Sequence, residues 1–289
     1  MIGLLNNKIK FDIAIPDSFL YGIKSEIDST LKIFQLARAL SIFRVENIHI
    51  FHDRIINPLS SEVDLIITLL EYLDTPQYLR KKIYPKLDSL KYVGKLHPIR
   101  SPHHKDKKSL NSIINGEVRV GILEKKDDTF YTDVGLELPI KYLGKIKQTG
   151  KKLNVKLDRK NNYLYAFDID EHNIDEIYWG YKVSYFNSLY DILKRYKKLN
   201  IILTSKNSEY FKPESQFSNQ LRDCKNINTS ILIVFGSPKF GLKEILNKER
   251  LDISKYHSFN FFPFQGTQTI RLEESIFGVL SILNNYIFA

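Results

Sequence analysis

Between residues 116 and 150 five glycines, Gly116, Gly121, Gly135, Gly144 and Gly150, punctuate short strand-like runs, while on both sides apolar strands alternate with helices. Glycine at such spacing marks turns, and the runs EVRVGILEKK, TFYTDVG, LELPIKYLG, KKLNVKL and NYLYAFDI predict about five short strands. Strands without intervening helices close most simply as a small barrel. The flanks carry a different texture, so one α/β domain interrupted by an all-β insertion is the architecture expected. The insertion is placed at residues 90–178 and the α/β domain at 1–89 and 179–289. An insertion at a surface loop adds little closure entropy.

The first flank opens with KFDIAIPDSFL (Lys10 to Leu20), an apolar strand stopped by Pro16 and Asp17. A helix follows over Glu26 to Val45, with Ile27, Leu31, Phe34, Ala37 and Leu40 as its expected apolar stripe. NIHIFHD (Asn47 to Asp53) predicts a second strand and Glu62 to Leu73 a helix ended by Pro76. The second flank resumes at YWGYKV (Tyr178 to Val183). It offers strands at Asn200 to Ser208, Thr229 onward and His257 to Phe264, then a last helix over 271–286.

Three loops follow the last three strands: TSKNSE (Thr204 to Glu209), GSPKFGL (Gly236 to Leu242) and PFQGTQT (Pro263 to Thr269). In open α/β sheets ligands lie beyond the carboxyl ends of strands, so these loops are the candidate ligand site. None carries a GxGxxG dinucleotide fingerprint or the GK[ST] ending of a P-loop. Ordinary turns are the competing reading. Ile233, Phe235, Phe262 and Phe264 either wall an apolar slot or pack the core. Thr269 is expected to cap the last helix, with Glu273 and Glu274 in its first turn.

Charge narrows the partners. With 43 Lys and Arg against 33 Asp and Glu the chain carries +10, which favours polyanions. Ten of those cations and only Asp88 and Asp106 fall between Tyr78 and Leu110, a local net charge of +8. Arg80, Lys81, Lys82, Arg100, His103, His104, Lys105, Lys107 and Lys108 are the candidate RNA contacts, next to a barrel of the kind that stacks single-stranded bases. A solvated linker is the alternative. His97, His103 and His104 lack a fourth ligand and any cysteine, so no metal site is expected. The single cysteine, Cys224, cannot form an internal disulfide and is read as structural; a reduced, cytoplasmic protein without a membrane span or leader is expected.

Several segments together carry a resemblance. FDIAIPDS, LARALSIFRV, YLDTPQYLRKKIYP, KLHPIRSPHH, YWGYKV, FGSPKFGL and, most specifically, FPFQGTQTIRLEE resemble, in order and over nearly the whole chain, the SPOUT superfamily of RNA methyltransferases. The closer likeness is to its archaeal and eukaryotic branch with an inserted OB-like domain. The resemblance implies an α/β fold with a C-terminal trefoil knot, a homodimer, and S-adenosylmethionine as cofactor. It places Thr204, Ser205, Phe235, Gly236, Ser237, Gly241, Leu242, Phe262, Gln265, Gly266, Thr267 and Thr269 around that cofactor. It also implies methylation of RNA, ribosomal RNA first among the candidates. A non-catalytic RNA-binding protein that keeps the fold is the alternative. Arg38, in LARAL, matches the arginine that the superfamily often uses in catalysis; Arg271 and Glu274 border the cofactor loop and are the other candidates. Asp17 and Ser18 end the first strand on the same edge.

Overall fold

The computed structural model describes residues 9–174, 176, 178–212 and 229–288; Cys224 lies outside them. The chain divides into two compact units. The first comprises residues 1–71, 92–96 and 181–289, the second 72–91 and 97–180. The division falls at 71/72 rather than 89/90, because the helical segment that follows Tyr72 packs with the β unit.

In the first unit, β1 (Ile9–Pro16), β2 (Val45–Phe51), β8 (Lys182–Phe186), β9 (Ile201–Thr204), β10 (Thr229–Val234) and β11 (His257–Phe259) form one six-stranded sheet. Its order is β11-β9-β10-β1-β2-β8 and every pair is parallel. The segments on either side of the insertion thus interleave in one sheet, with β1 between β10 and β2. IKFDIAIP is apolar almost throughout, as a central strand buried on both faces requires. Pro16, lacking an N–H, ends it.

Helices cover both faces. Ala14, Phe51, Leu203 and Val234 pack with α4 (Leu189–Leu193) and α5 (Leu242–Lys248). On the other side α1 (Glu26–Ile42) packs against α6 (Leu272–Phe288), and Phe11 of β1 meets Phe288 edge to face. The buried side of α1 is Ile33, Leu36, Ala37 and Leu40. The expected stripe held at Ala37 and Leu40 but not at Leu31, which is 41% exposed. Helical periodicity alone permits either rotation; the sheet decides.

The second unit begins with the end of α2 (Ser60–Asp74) and α3 (Gln77–Ile83). Strands β3 (Glu117–Lys126), β4 (Thr129–Asp133), β5 (Ile140–Tyr142), β6 (Lys152–Lys160) and β7 (Tyr163–Asp168) close into a barrel in the order β3-β4-β5-β7-β6. Leu123, Val134, Ile140, Val155, Leu157 and Ala166 fill it. No helix among the described residues is long and apolar enough to cross a membrane.

Candidate active site

Because β11, β9 and β10 are neighbours, the loops after them start side by side at the carboxyl edge of the sheet. Hydrogen bonds tie them together. Thr204 Oγ1 donates to the Val234 carbonyl at 2.9 Å, and the Ser205 N–H to the Phe259 carbonyl at 3.0 Å. Asn260, which sequence reasoning did not single out, links the first and third loops. Its N–H donates to Glu209 O, its amide to Lys206 O, and its side-chain oxygen accepts from the Phe262 N–H. The signal was there: one amide inside the aromatic run FNFFPF, where a buried polar side chain must find partners.

The middle loop closes on itself. The Ser237 N–H donates to Phe240 O at 2.9 Å, and Ser237 Oγ accepts from the Phe240 N–H at 3.0 Å. A Cβ at Gly236 would meet Leu242 N at 3.1 Å and Phe240 O at 3.2 Å, so bare main chain belongs there. Gly241 precedes α5 as its N-cap. The side chains of Phe235 and Leu242 are 1% exposed and go into the core; the Phe235 N–H extends the β10–β1 pairing by donating to Ala14 O. Ile233 is likewise core. Of the two readings left open for Ile233 and Phe235, the structure shows core packing, and Leu242 joins them there.

The third loop is open. Phe262 is half-buried against Gly278 of α6. Phe264 is 91% exposed at a left-handed φ of 55°, beside Tyr210 at 5.7 Å between ring centres. A large side chain held there is a strained arrangement of the kind found at functional sites. Gln265 donates to Thr267 O and Thr267 Oγ1 to Thr269 O. Around Gly266 an added Cβ would meet nothing within 4 Å. Thr269 does not cap the last helix. Its N-cap is Arg271, whose carbonyl accepts from the Ser275 N–H and whose N–H donates to Glu274 Oε2 at 2.9 Å. Glu274 thus fills the acidic half of a capping box.

Further along the same edge, β1, β2 and β8 end in a polar cluster. Asp17 and Asp53 are fully buried and Ser18 is 1% exposed. Asp17 accepts from the Asp53 N–H at 2.8 Å, from His52 Nδ1 at 2.9 Å and from the Tyr185 hydroxyl at 3.0 Å. Ser18 Oγ donates to Asp53 at 2.5 Å. Burial, then the Asp17 charge, pushes the Tyr185 phenol up to about 12. On the helical side Lys32 sits 3.6 Å from the buried Glu273 and donates to Phe19 O. Burial lowers the Lys32 pKa and Glu273 opposes the shift. Arg38 lies exposed on α1. That helix returns the chain from the carboxyl end of β1 to the start of β2, so Arg38 sits about 18 Å down its axis from the loop edge.

In the second unit the basic residues separate into two groups. Arg80 donates to Thr75 O and Leu73 O and lies over Tyr72 at 4.6 Å, closing the end of α2. Lys82 pairs with Glu124 and Asp133, Lys105 with Glu176, and Lys108 with Glu117. His103 is 2% exposed and bonds Asp74 O at 2.8 Å. His104 is half-buried, with Ile99 O at one ring nitrogen and Asp74 O at the other, and the neutral ring donates to one of them. The two histidines are therefore packing residues rather than members of an RNA-facing strip, and burial holds His104 down to about 4. Lys81, Arg100 and Lys107 remain exposed, and no ion pair engages them among the described residues.

Comparison with known proteins completes this picture. A 28S rRNA (uridine-N(3))-methyltransferase of Drosophila melanogaster is 29% identical over 96% of this chain; this chain spans 62% of that relative's length. The Homo sapiens protein of the same name is 27% identical over 94% of this chain and 77% of its own. An uncharacterized protein of Haloarcula marismortui is 24% identical over 94% of this chain and 97% of its own. The family described as Putative RNA methyltransferase matches residues 10–283, and the chain belongs to that family.

Proposed function

We propose that the protein transfers a methyl group from S-adenosylmethionine to N3 of a uridine in ribosomal RNA. One observation carries this reading: in a chain of this family, three loops bonded to one another converge at the adjoining ends of β11, β9 and β10. Their residues fit the methyl donor. Gly236 and Gly241 leave main chain bare for the adenine edge, as nucleobase recognition by backbone N–H and C=O requires. Thr204, Ser205 and Ser237 supply hydroxyls at the loop bases. Gln265, Gly266, Thr267 and Thr269 form the open polar loop beside them, and Phe262, packed on Gly278 of α6, anchors it. When bound, the donor presents a methyl group on a positively charged sulfur, ready for an in-line nucleophile. The chain's contribution is then to position the acceptor and exclude water.

A SPOUT-type trefoil knot in the C-terminal part is part of the proposal. It is supported by the pairing of the segment after β11 with the end of the first loop, with the Asn260 N–H on Glu209 O and the Phe211 N–H on Asn260 O. The barrel is proposed as an OB-like RNA-binding domain, with Lys81, Arg100 and Lys107 as its free cations. A cytoplasmic homodimer completes the reading. Leu31 and Ile42 on α1 and Phe277 and Phe288 on α6 are each 39–49% exposed. Leu31, Arg38 and Ile42 share one face of α1 by their spacing. An arginine within an apolar dimer face would serve the partner's loop edge rather than its own.

The test is to incubate the protein with labelled S-adenosylmethionine and cellular RNA, then digest the RNA to nucleosides. Label in N3-methyluridine from ribosomal RNA is expected; no label in any RNA pool would overturn the proposal.

A further inference from the structure

Methylating N3 of uridine requires more than a methyl donor. That nitrogen carries a proton and is a poor nucleophile until the proton leaves, so a base must stand on the acceptor side of the site. Among their described residues, the loops Thr204–Glu209, Gly236–Leu242 and Pro263–Thr269 offer hydroxyls and amides but no histidine, and Glu209 is their one carboxylate. The base must come from elsewhere on the edge.

From the geometry we infer that His52 is that base, oriented by Asp17. His52 follows β2 at the carboxyl edge. Its Nδ1 is 2.9 Å from the carboxylate of Asp17, which is fully buried and also accepts from Tyr185 and from the Asp53 N–H. Three donors on one buried carboxylate keep it an acceptor, so Nδ1 carries the ring proton and Nε2 holds a lone pair. No group among the described residues bonds Nε2, and the side chain is 30% exposed. An imidazole fixed on one nitrogen by a buried acid and open on the other is the arrangement of a general base. The other charged or titratable groups around it are Asp53, whose carboxylate is taken up by Ser18 and the N–H groups of Ile55 and Ile56, Tyr185, and the exposed Arg54.

The position also fits. β10, β1 and β2 are consecutive in the sheet, so the end of β2 stands about 10 Å from the end of β10, where the middle donor loop begins. An acceptor ring that meets both His52 and the middle loop has to cross that span, past the buried turn Asp17–Leu20. In the step, Nε2 takes the N3 proton, the bond from N3 to the methyl carbon forms, and the sulfur–methyl bond breaks with its electron pair remaining on sulfur. The sulfonium becomes a neutral thioether and the proton leaves His52 to water.

This inference rests on the uridine-N3 reading, and the experiment separates the two. Wild-type protein is first assayed with labelled S-adenosylmethionine and ribosomal RNA; formation of N3-methyluridine is the precondition, and its absence overturns the function reading and this step with it. With that product in hand, His52→Gln and His52→Ala are compared with wild type in single turnover. The expected loss is about 10²-fold or more in rate, with RNA affinity within about threefold, a melting temperature near wild type for His52→Gln, whose amide can still donate to Asp17, and loss of the acidic limb of the pH–rate profile. A rate within about threefold of wild type and an unchanged profile overturns the assignment. A readout independent of turnover is nitrogen-edited NMR of His52 in the donor-free protein: the Nδ1–H tautomer is expected, and the Nε2–H tautomer overturns it.

Discussion

The ring of Phe262 fills the space in front of Gly278, so that a Cβ on that glycine would lie 2.5 Å from Cε1 and 2.6 Å from Cζ of the ring. Gly278 is interior to α6, where glycine normally costs about 1 kcal/mol relative to alanine. A glycine at this point admits an aromatic anchor at the base of the open third loop.

The first prediction follows from that contact. Gly278→Ala should push the half-buried ring aside and displace residues 262–269. The binding constant for S-adenosylmethionine, measured by calorimetry, is expected to weaken about tenfold, or about 1.4 kcal/mol. In a Phe262→Ala background the same substitution meets no ring and should stabilise the fold by the ordinary helix-propensity gain of about 1 kcal/mol. Equal effects in both backgrounds would show that the ring does not depend on the glycine.

A second prediction separates capping from chemistry at Glu274. Its carboxylate accepts the Arg271 N–H, so Glu274→Ala should cost about 0.3–1.5 kcal/mol in urea unfolding. Glutamine at that position of a capping box also accepts the N–H. Glu274→Gln is therefore expected to keep both stability and methylation rate. A Gln variant that is stable but inactive would return Glu274 to the reacting groups.

The third prediction concerns the exposed cations of the second unit. Neutralising Lys81, Arg100 and Lys107 together should reduce the slope of log affinity against log salt by about 2 for a single-stranded RNA, at about 0.7 per cation. Lys105 and Lys108 already face Glu176 and Glu117, so replacing those two should change the slope by less. The measurement is filter binding across a salt series.

How far the sequence carried these conclusions depends on the kind of signal. Alternation of strand and helix in the flanks, and five short runs between them, led to an α/β domain and a separate barrel because local periodicity reports local burial. Which face of α1 is buried was not legible, since Leu31 and Ile33 are equally apolar and only the packed sheet chooses between them. The loops were located by glycine and position, but whether Ile233 and Phe235 wall a slot or pack the core stayed open, because a side chain's direction at a strand end depends on register. His103 and His104 read as surface cations from the charges around them, yet both bond backbone carbonyls of their own unit. Asp17 was noticed as a strand end; its partners His52 and Tyr185 lie 35 and 168 residues away in the chain, and that separation hid the cluster.

The fourth prediction is an acid limb in stability with a known sign. Burial, then Arg195, holds His49 down to about 4 from the ordinary 6.5, and burial, then His103, does the same to His104. Both histidines take up a proton in the unfolded chain below pH 6.5, but in the folded protein only near pH 4. Stability therefore falls as pH drops through that window, by at most about 3 kcal/mol per histidine. Near the lower end Asp12 opposes the trend: burial raises its carboxyl above 3.8, so it favours the folded state when protonated. His49 Nε2 lies 2.7 Å from the Tyr196 hydroxyl, which itself donates to Asp12. His49 is thus the donor to Tyr196, and a glutamine amide can replace it. His49→Gln is expected to be near wild type in urea at pH 7 and more stable than wild type at pH 5. An unchanged difference between the two pH values would mean that His49 is protonated in the folded protein.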